Sequence, residues 1–219
     1  MPDKETEDYY RERADSYEEI YYRDQPARRK EIDDEAERVR LLAKGKTVLE
    51  LACGTGYWTK IMSETALSIT ASDLSEEMVA VARRKPLVAP VTFVRADMFA
   101  HQWEAEAFDL VAAGFWLSHQ PRQEYEQFFD LITRPLKPGG TIWLIDNNPP
   151  AEGTGHELVR RDEYGNNFKR RYLKDGRSYT ILKNYFSAEE LGDLLSPRFK
   201  VRRLTYGIYY WSVELSPLK

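Results

Sequence analysis

The fold of this chain is decided by Val48-Leu49-Glu50-Leu51-Ala52-Cys53-Gly54-Thr55-Gly56. The stretch is a short apolar run that passes into small residues and is followed by an amphipathic segment from Tyr57. This pattern predicts a buried strand, a tight loop and a helix. Glycine has no side chain and tolerates backbone angles closed to other residues, so Gly54 and Gly56 allow a ligand to approach the loop backbone. We therefore expect a ligand to bind over this loop.

Outward from the loop, strands and helices alternate along the chain. Short hydrophobic runs typical of strands covered on both faces occur at 46–51, 67–72, 91–95, 108–113 and 140–146. Helical patterns occur at 57–66, 75–85 and 121–134, with Ser75 as an N-cap and Pro121 in a first helical turn. Such alternation specifies a parallel sheet with helices on both faces.

Both ends of the chain depart from this alternation. At the N-terminal end, Tyr10, Tyr17 and Tyr21 share one face of a charged helix. This helix is either docked on the core or a lid that offers Arg13 to a ligand carboxylate. A second helix runs from Pro26 to about Ala43.

After residue 146, a hairpin pairs 168–174 with 177–183, a helix covers 187–196, and strands at 199–206 and 208–215 pair antiparallel. The predicted fold is therefore α/β and Rossmann-like, with a doubly wound, mostly parallel seven-stranded sheet and an antiparallel last strand. It carries an N-terminal helical lid and a hairpin inserted after strand five. We expect one domain over 1–219, comprising helices and lid (1–44), cofactor-binding core (45–146), substrate-cap insertion (147–186), and C-terminal helix and strands (187–219).

Composition excludes several functional classes. The net charge of −4 and the pI near 5.6 argue against nonspecific nucleic-acid binding, which needs a basic surface. No apolar run approaches the roughly 20 residues of a membrane span. The single cysteine, Cys53, cannot form an internal disulfide, which favours a reducing, cytoplasmic location. The oligomeric state stays open.

Acids follow the first three strands at the edge where ligands of open parallel sheets bind. Glu50, Asp73 and Asp97 occupy these positions. Three carboxylates would pack poorly in a core. They suit a ligand that is rich in hydroxyl and amino donors.

Together, the run from Val48 to Gly56, Asp73, Asp97-Met98 and Pro138-Gly139-Gly140 resemble the class I S-adenosylmethionine-dependent methyltransferases. The closest subgroup is the small bacterial and archaeal kind that acts on small molecules. The resemblance covers 45–146, and 187–215 in architecture only. Ala52 stands where the family often has glycine. A nicotinamide dinucleotide is the weaker alternative, because Thr59 replaces the third glycine of that fingerprint.

The resemblance implies S-adenosyl-L-methionine as the cofactor. Asp73 would accept the ribose hydroxyls and Asp97 the adenine amine, between Leu74 and Met98. The remaining residues assigned to the cofactor are Arg13, Glu50, Ala52, Gly54, Gly56 and Ala113.

The acceptor side carries a possible base and a possible anion site. His119 follows strand four, and its unperturbed pKa near 6.5 suits a general base, the alternative being a polar helix-flanking residue. Arg171, in the basic run Lys169-Arg170-Arg171, would give the acceptor pocket a positive rim, together with Arg177 and Lys183. The alternative is a solvated hairpin edge. Aromatic candidates for the pocket wall, otherwise ordinary core, are Tyr10, Tyr17, Tyr21, Trp58, Phe115 and Trp116.

The sequence thus predicts an enzyme that transfers a methyl group, by in-line displacement, to an oxygen or nitrogen of a small-molecule acceptor. Transfer to a protein side chain or terminus, and a non-catalytic cofactor-binding partner or sensor, are the alternatives. We expect no metal, because the further Asp that cation-dependent O-methyltransferases carry near Gly114 is absent. Asn147-Asn148-Pro149-Pro150 follows strand five rather than strand four, so it does not indicate an adenine-modifying enzyme.

Overall fold

The structure of the protein, a computed structural model, describes residues 4–20, 25–149 and 158–218. Its main sheet has seven strands, and the five N-terminal strands run parallel. They are β1 (Thr47–Leu51), β2 (Ser68–Asp73), β3 (Val91–Arg95), β4 (Phe108–Gly114) and β5 (Leu136–Asn147), and the last two are β9 (Phe199–Tyr206) and β10 (Tyr210–Pro217).

The strand order is β3-β2-β1-β4-β5-β10-β9. β10 pairs antiparallel with both β5 and β9, which confirms the Rossmann-like fold with an antiparallel last strand. The order reverses between β1 and β4, so a crevice opens beyond their carboxyl ends.

Helices cover both faces of this sheet. They are α2 (Pro26–Ala43), α3 (Tyr57–Ser63), α4 (Glu76–Ala82), α5 (Tyr125–Thr133) and α6 (Ala188–Leu195). Ser75 caps α4 by accepting from the Met78 amide at 3.2 Å, as predicted. Short 3-10 turns at Leu117–His119 and Arg122–Glu124 precede α5, so the predicted helix at 121–134 begins later than expected.

Two apolar clusters fill the space between the helices and the sheet. One includes Phe128, Trp211 and Leu49, and the other includes Trp143, Ile69 and Val39. Within β1, Leu49 and Leu51 belong to the first cluster and Val48 to the second, because alternate side chains of a strand face opposite ways. Both faces of β1 are therefore covered, which explains its continuous apolar sequence.

A second, antiparallel sheet follows β5 where a two-stranded hairpin was predicted. It contains β6 (Leu158–Arg161), β7 (Asn167–Tyr172) and β8 (Ser178–Leu182) in that order. The hairpin of β7 and β8 is present, but the prediction missed β6. All four residues of β6 are exposed, so they show no alternation of apolar and polar side chains.

The N-terminal segment is not one continuous helix. It forms α1 (Lys4–Glu12) and a 3-10 helix at Ala14–Ile20, and α1 packs on β8. Tyr21, which was predicted to share a face with Tyr10 and Tyr17, lies outside the described residues. Within the described ranges, no helix combines the length and the apolar character needed to cross a bilayer.

Candidate functional site

A cavity of about 420 Å³ lies beyond the carboxyl ends of β1, β2 and β4, beneath α1 and the 3-10 helix that follows it. Its volume falls in the range of small-molecule and cofactor sites. The structure brings ten of the sequence-predicted site residues together around it: Tyr10, Tyr17, Ala52, Gly54, Asp73, Leu74, Met98, Phe115, Trp116 and His119. Wall residues that the sequence did not single out include Thr6, Glu7, Arg11, Glu76, Glu77, Arg95 and Gly114.

The loop after β1 gives the cavity its backbone floor. Ala52 and Gly54 both have left-handed backbone angles, with φ of 53° and 54°. A Cβ at Gly54 would meet no atom within 4 Å, whereas one at Gly56 would lie 2.8 Å from the Cβ of Ala82. Gly54 therefore leaves room on the cavity side, and Gly56 allows α4 to pack closely. Gly56 does not line the cavity, and its contact with a ligand stays a prediction.

Asp73 ends β2 and presents its carboxylate to the cavity. One oxygen accepts from the Gly54 amide and the other from the Ser75 amide, each at 2.9 Å. Burial raises the pKa of Asp73 despite these bonds. Each carboxylate oxygen has a further lone pair, so Asp73 can still accept hydroxyl donors.

The purine side of the predicted cradle is partly assembled. Leu74 and Met98 line the cavity, and the Met98 sulfur accepts from the Ala52 amide at 3.2 Å. Asp97 does not line the cavity, since its carboxylate accepts from the Phe99 amide at 3.0 Å and shapes the turn. An adenine contact by Asp97 remains a prediction, for which both carboxylate oxygens keep a lone pair.

Glu50 is buried and does not line the cavity. Its side chain is 2% exposed and accepts from the Thr59 hydroxyl at 2.5 Å. Burial raises the pKa of Glu50 to about 8, and the charge of Asp73 adds to this effect. Glu50 is therefore largely protonated near neutral pH, which the sequence alone did not indicate.

The aromatic wall differs from the prediction at one position. Phe115 and Trp116 line the cavity, but Trp58 does not. Trp58 packs in the core with its ring 5.0 Å from that of Trp143, and the absence of a Cβ at Gly114 makes room for its indole. Ala113 is also buried within β4, and the neighbouring Gly114 forms the cavity wall instead.

Arg13 was expected to offer its charge to a ligand carboxylate, but it does not line the cavity. Its guanidinium donates to the Tyr9 hydroxyl at 2.8 Å and lies over the rings of Tyr9 and Tyr17. These contacts are better explained by cation–π stabilisation of the N-terminal segment than by capture of a ligand carboxylate.

Polar contacts fasten the N-terminal segment over the cavity. Glu18 accepts from the Thr55 hydroxyl at 2.7 Å and pairs with Lys85 at 2.6 Å. On the other side, Glu5 accepts from the Thr180 amide and Glu12 from the Tyr179 hydroxyl. The segment thus bridges the glycine loop and the small sheet.

His119 reaches the cavity from the 3-10 turn after β4, and its pKa differs from the value expected. Its Nδ1 lies 2.6 Å from the Leu182 carbonyl and its Nε2 lies 2.8 Å from the Tyr10 hydroxyl. A carbonyl only accepts, so Nδ1 carries the proton and Nε2 accepts from Tyr10. Burial, assisted by the charge of Lys183, lowers the pKa of His119 to about 3. The expectation of an unperturbed pKa is therefore wrong, and His119 is a weak base.

A buried ion pair beside His119 was not predicted. Lys183 donates to Asp146 at 2.9 Å and to the Ser118 hydroxyl at 2.6 Å, and Asp146 also accepts from the Ser118 amide. Burial alone would raise the pKa of Asp146, but the Lys183 ammonium lowers it below its ordinary value. The pair joins the end of β5 to the small sheet and holds the turn that carries His119. Arg171 is not part of the cavity wall but lies on the same small sheet.

A profile of the family described as "Methyltransferase domain" matches residues 48–140. Demethylmenaquinone methyltransferase from Shouchella clausii is 34% identical over 113 residues, which make up 49% of this chain and 47% of the relative. The chain therefore spans about half the length of the curated relatives it matches.

Solved structures match nearly the whole chain. The complex of DhpI with SAH is 30% identical with a TM-score of 0.78, covering 97% of this chain and 95% of that one. The complex of DhpI with SAM and HEP is 29% identical with a TM-score of 0.73, covering 97% and 96%. PH0226 from Pyrococcus horikoshii, at 20% identity and a TM-score of 0.72, shares the fold and covers 96% of this chain and 99% of that one.

Proposed function

Because this chain belongs to the class I S-adenosylmethionine-dependent methyltransferases, we propose that it methylates an oxygen or nitrogen of a small-molecule acceptor. It is an enzyme of this family, and its cofactor is S-adenosyl-L-methionine. The observation that supports the acceptor class best is the cavity itself. The N-terminal segment covers it in part, and its volume of about 420 Å³ suits a small molecule.

The residues around the cavity fit the cofactor chemically. Asp73 offers carboxylate oxygens to a ribose diol, and Leu74 and Met98 offer apolar surface to a purine. Gly54 leaves the space in which the methionine part would lie against the loop backbone. When bound, S-adenosylmethionine supplies a methyl group on a positively charged sulfur. We propose these contacts with the cofactor for Asp73, Leu74, Met98 and Gly54.

The protein's contribution to the reaction is positioning. Holding the acceptor atom in line with the bond that breaks supplies much of the acceleration in a displacement of this kind. Phe115, Trp116 and Tyr17 would exclude water from the acceptor and favour the loss of charge during transfer. His119 and Tyr10 would bind the acceptor hydroxyl or amine by exchanging the hydrogen bond between them for bonds to the acceptor. His119 is then a hydrogen-bond acceptor in the site, and a strong base is not required.

The experiment that tests the cofactor site is calorimetry on Asp73→Ala. We expect S-adenosylmethionine and its demethylated product to bind the wild type, and the variant to bind at least about tenfold more weakly, since two charge-assisted hydrogen bonds are lost. Asp193→Ala, on the exposed face of α6, is the matched control and should bind as the wild type does. Equal binding by Asp73→Ala and the control would refute the assignment.

A second measurement separates the enzyme's acceptor classes. Release of the demethylated cofactor should depend on an added small molecule. Release that depends only on added protein would favour a protein side chain or terminus as acceptor. We further propose a cytoplasmic location, from the single Cys53, and no nucleic-acid partner, from the acidic composition. The proposed organisation is one domain over 1–219, in which 1–44 and 147–186 select the acceptor.

A further inference from the structure

One face of the small sheet carries a cluster of cations formed by Lys169, Arg171 and Lys183. Lys169 and Arg171 are two positions apart in β7, so their side chains leave the same face. Lys169 pairs with Ile181 and Arg171 with Tyr179, and paired residues of antiparallel strands share a face. Lys183 lies two positions beyond Ile181 and continues that face.

The same face packs against the N-terminal segment at the cavity. The Tyr179 ring lies 5.8 Å from that of Tyr9 in α1. The charges of Lys183 and Arg171 both lower the pKa of His119, and the charge of Arg171 opposes the rise in the pKa of Tyr10. Lys183 also donates to Ser118, and the neighbouring His119 contacts the Leu182 carbonyl, so the Lys183 end of the cluster lies beside the Tyr10–His119 pair.

Lys169 is the residue that argues for a ligand. Its side chain is only 9% exposed, and its ammonium lies 4.4 Å from the centre of the Tyr185 ring. Within the described ranges, no carboxylate forms an ion pair with Lys169. Burial and the charges of Arg171 and Lys183 lower its pKa to about 8. A buried ammonium without a carboxylate partner is costly, and this is the observation at Lys169 that favours an anionic ligand.

The ion pairs described at the small sheet involve cations other than Lys169. Asp146 is paired with Lys183, as described above. Arg177, near the tip of the hairpin, pairs with Asp175 and Glu12 and is exposed, as expected of a solvated edge. The two sequence interpretations of this basic segment therefore apply to different residues: Arg177 belongs to the edge, and Lys169 to an interior cluster.

We propose that the methyl acceptor is a small molecule with an oxyanion group, and that this group binds Lys169 and Arg171. This proposal rests on the proposed function. A carboxylate and a phosphoryl-type group share the required chemistry, namely oxygens that accept charge-assisted hydrogen bonds. The anionic group anchors the acceptor at the cluster. Its nucleophilic oxygen or nitrogen then lies beside Tyr10 and His119, facing the cofactor part of the cavity.

The test uses the full-length protein saturated with demethylated cofactor and titrates it with inorganic phosphate and, separately, acetate as probes. We expect at least one probe to bind the wild type and to bind Lys169→Met about tenfold or more weakly, with Lys169→Arg restoring binding. Lys200→Met, at an exposed position in β9, is the matched control and should bind as the wild type does. Equal affinity of the wild type and Lys169→Met for both probes, or no binding of either to the wild type, would overturn the proposal.

A second experiment uses only the wild-type enzyme, so it tests the proposal even if Lys169→Met does not fold. Hydroxy acids and amino acids are compared with their primary amides as acceptors for the wild-type enzyme. Turnover is measured as the release of demethylated cofactor. We expect turnover with acids and at least tenfold lower kcat/KM with the matched amides. Equal or better turnover of the amides would overturn the anion site while leaving the methyltransferase intact. Failure of the cofactor to bind would overturn the proposed function instead.

Discussion

Glu50 makes the stability of the protein fall as pH rises from about 4.5 to about 8. Its pKa is raised from 4.5 to about 8 by burial, with a smaller contribution from Asp73. In the unfolded chain the pKa returns to near 4.5, so between these two values the folded protein holds a proton that the unfolded chain has released. The free energy of unfolding therefore falls as pH rises above about 4.5 and levels off above about 8. The full effect amounts to roughly 4 to 5 kcal/mol.

Glu50→Gln isolates this effect. The amide has nearly the same shape and still accepts from Thr59, but it never carries a charge. We expect urea denaturation at about pH 9 to give a free energy of unfolding up to about 4 kcal/mol above that of the wild type, and little difference near pH 5. The affinity of Glu50→Gln for the cofactor should be about tenfold lower than that of the wild type. The positive charge of the bound cofactor favours the ionised carboxylate, which the amide cannot supply.

The control is Glu104→Gln, at an exposed position where the charge change should leave both stability and binding unaltered. Parallel pH–stability curves for Glu50→Gln and the wild type would refute the reasoning. They would mean that Glu50 is ionised in the free protein at neutral pH. Proton release on cofactor binding near pH 8, measured by calorimetry in buffers of different ionisation enthalpy, is an independent check.

Three further changes test the site and the core. His119→Ala should lower kcat by about tenfold or more and leave cofactor affinity unchanged, because a hydrogen bond to the acceptor is lost; unaltered turnover with the true acceptor would remove His119 from the reaction. Glu18→Gln removes the ion pair with Lys85 and weakens the bond from Thr55, so stopped-flow measurements should show cofactor dissociating a few-fold faster; an unchanged rate would mean that the N-terminal segment does not retain the cofactor. Phe128→Ala removes a fully buried ring and should cost about 3 to 5 kcal/mol in chemical denaturation, and a cost below about 1 kcal/mol would show that the core collapses around it.

The part of the fold that could be predicted from sequence is the part governed by local patterns. The glycine loop and Asp73 each follow a short apolar strand, and parallel strands bring their carboxyl ends to one edge. Position along the chain was therefore enough to gather Gly54, Asp73, Leu74 and Met98 around one cavity.

Long-range pairings could not be predicted in the same way. Asp146 and Lys183 are 37 residues apart, and no periodicity connects them. The pKa values of Glu50 and His119 depend on burial by side chains from other elements, which a sequence read one segment at a time does not show. Arg13 has the charge needed to bind a ligand carboxylate. Its guanidinium instead donates to the Tyr9 hydroxyl and lies over the Tyr17 ring, which its position in the sequence does not reveal.

The bridge made by α1 also sets an order of events in a growing chain. Glu5 and Glu12 are synthesised well before their partners Thr180 and Tyr179, which lie 175 and 167 residues later in the chain. Contacts of such large sequence separation form late, since loop closure must come before them. The loop after β1 and the strands beside it can therefore assemble before the small sheet packs on α1. The small sheet is the last part to reach α1, because its strands lie far along the chain from Glu5 and Glu12.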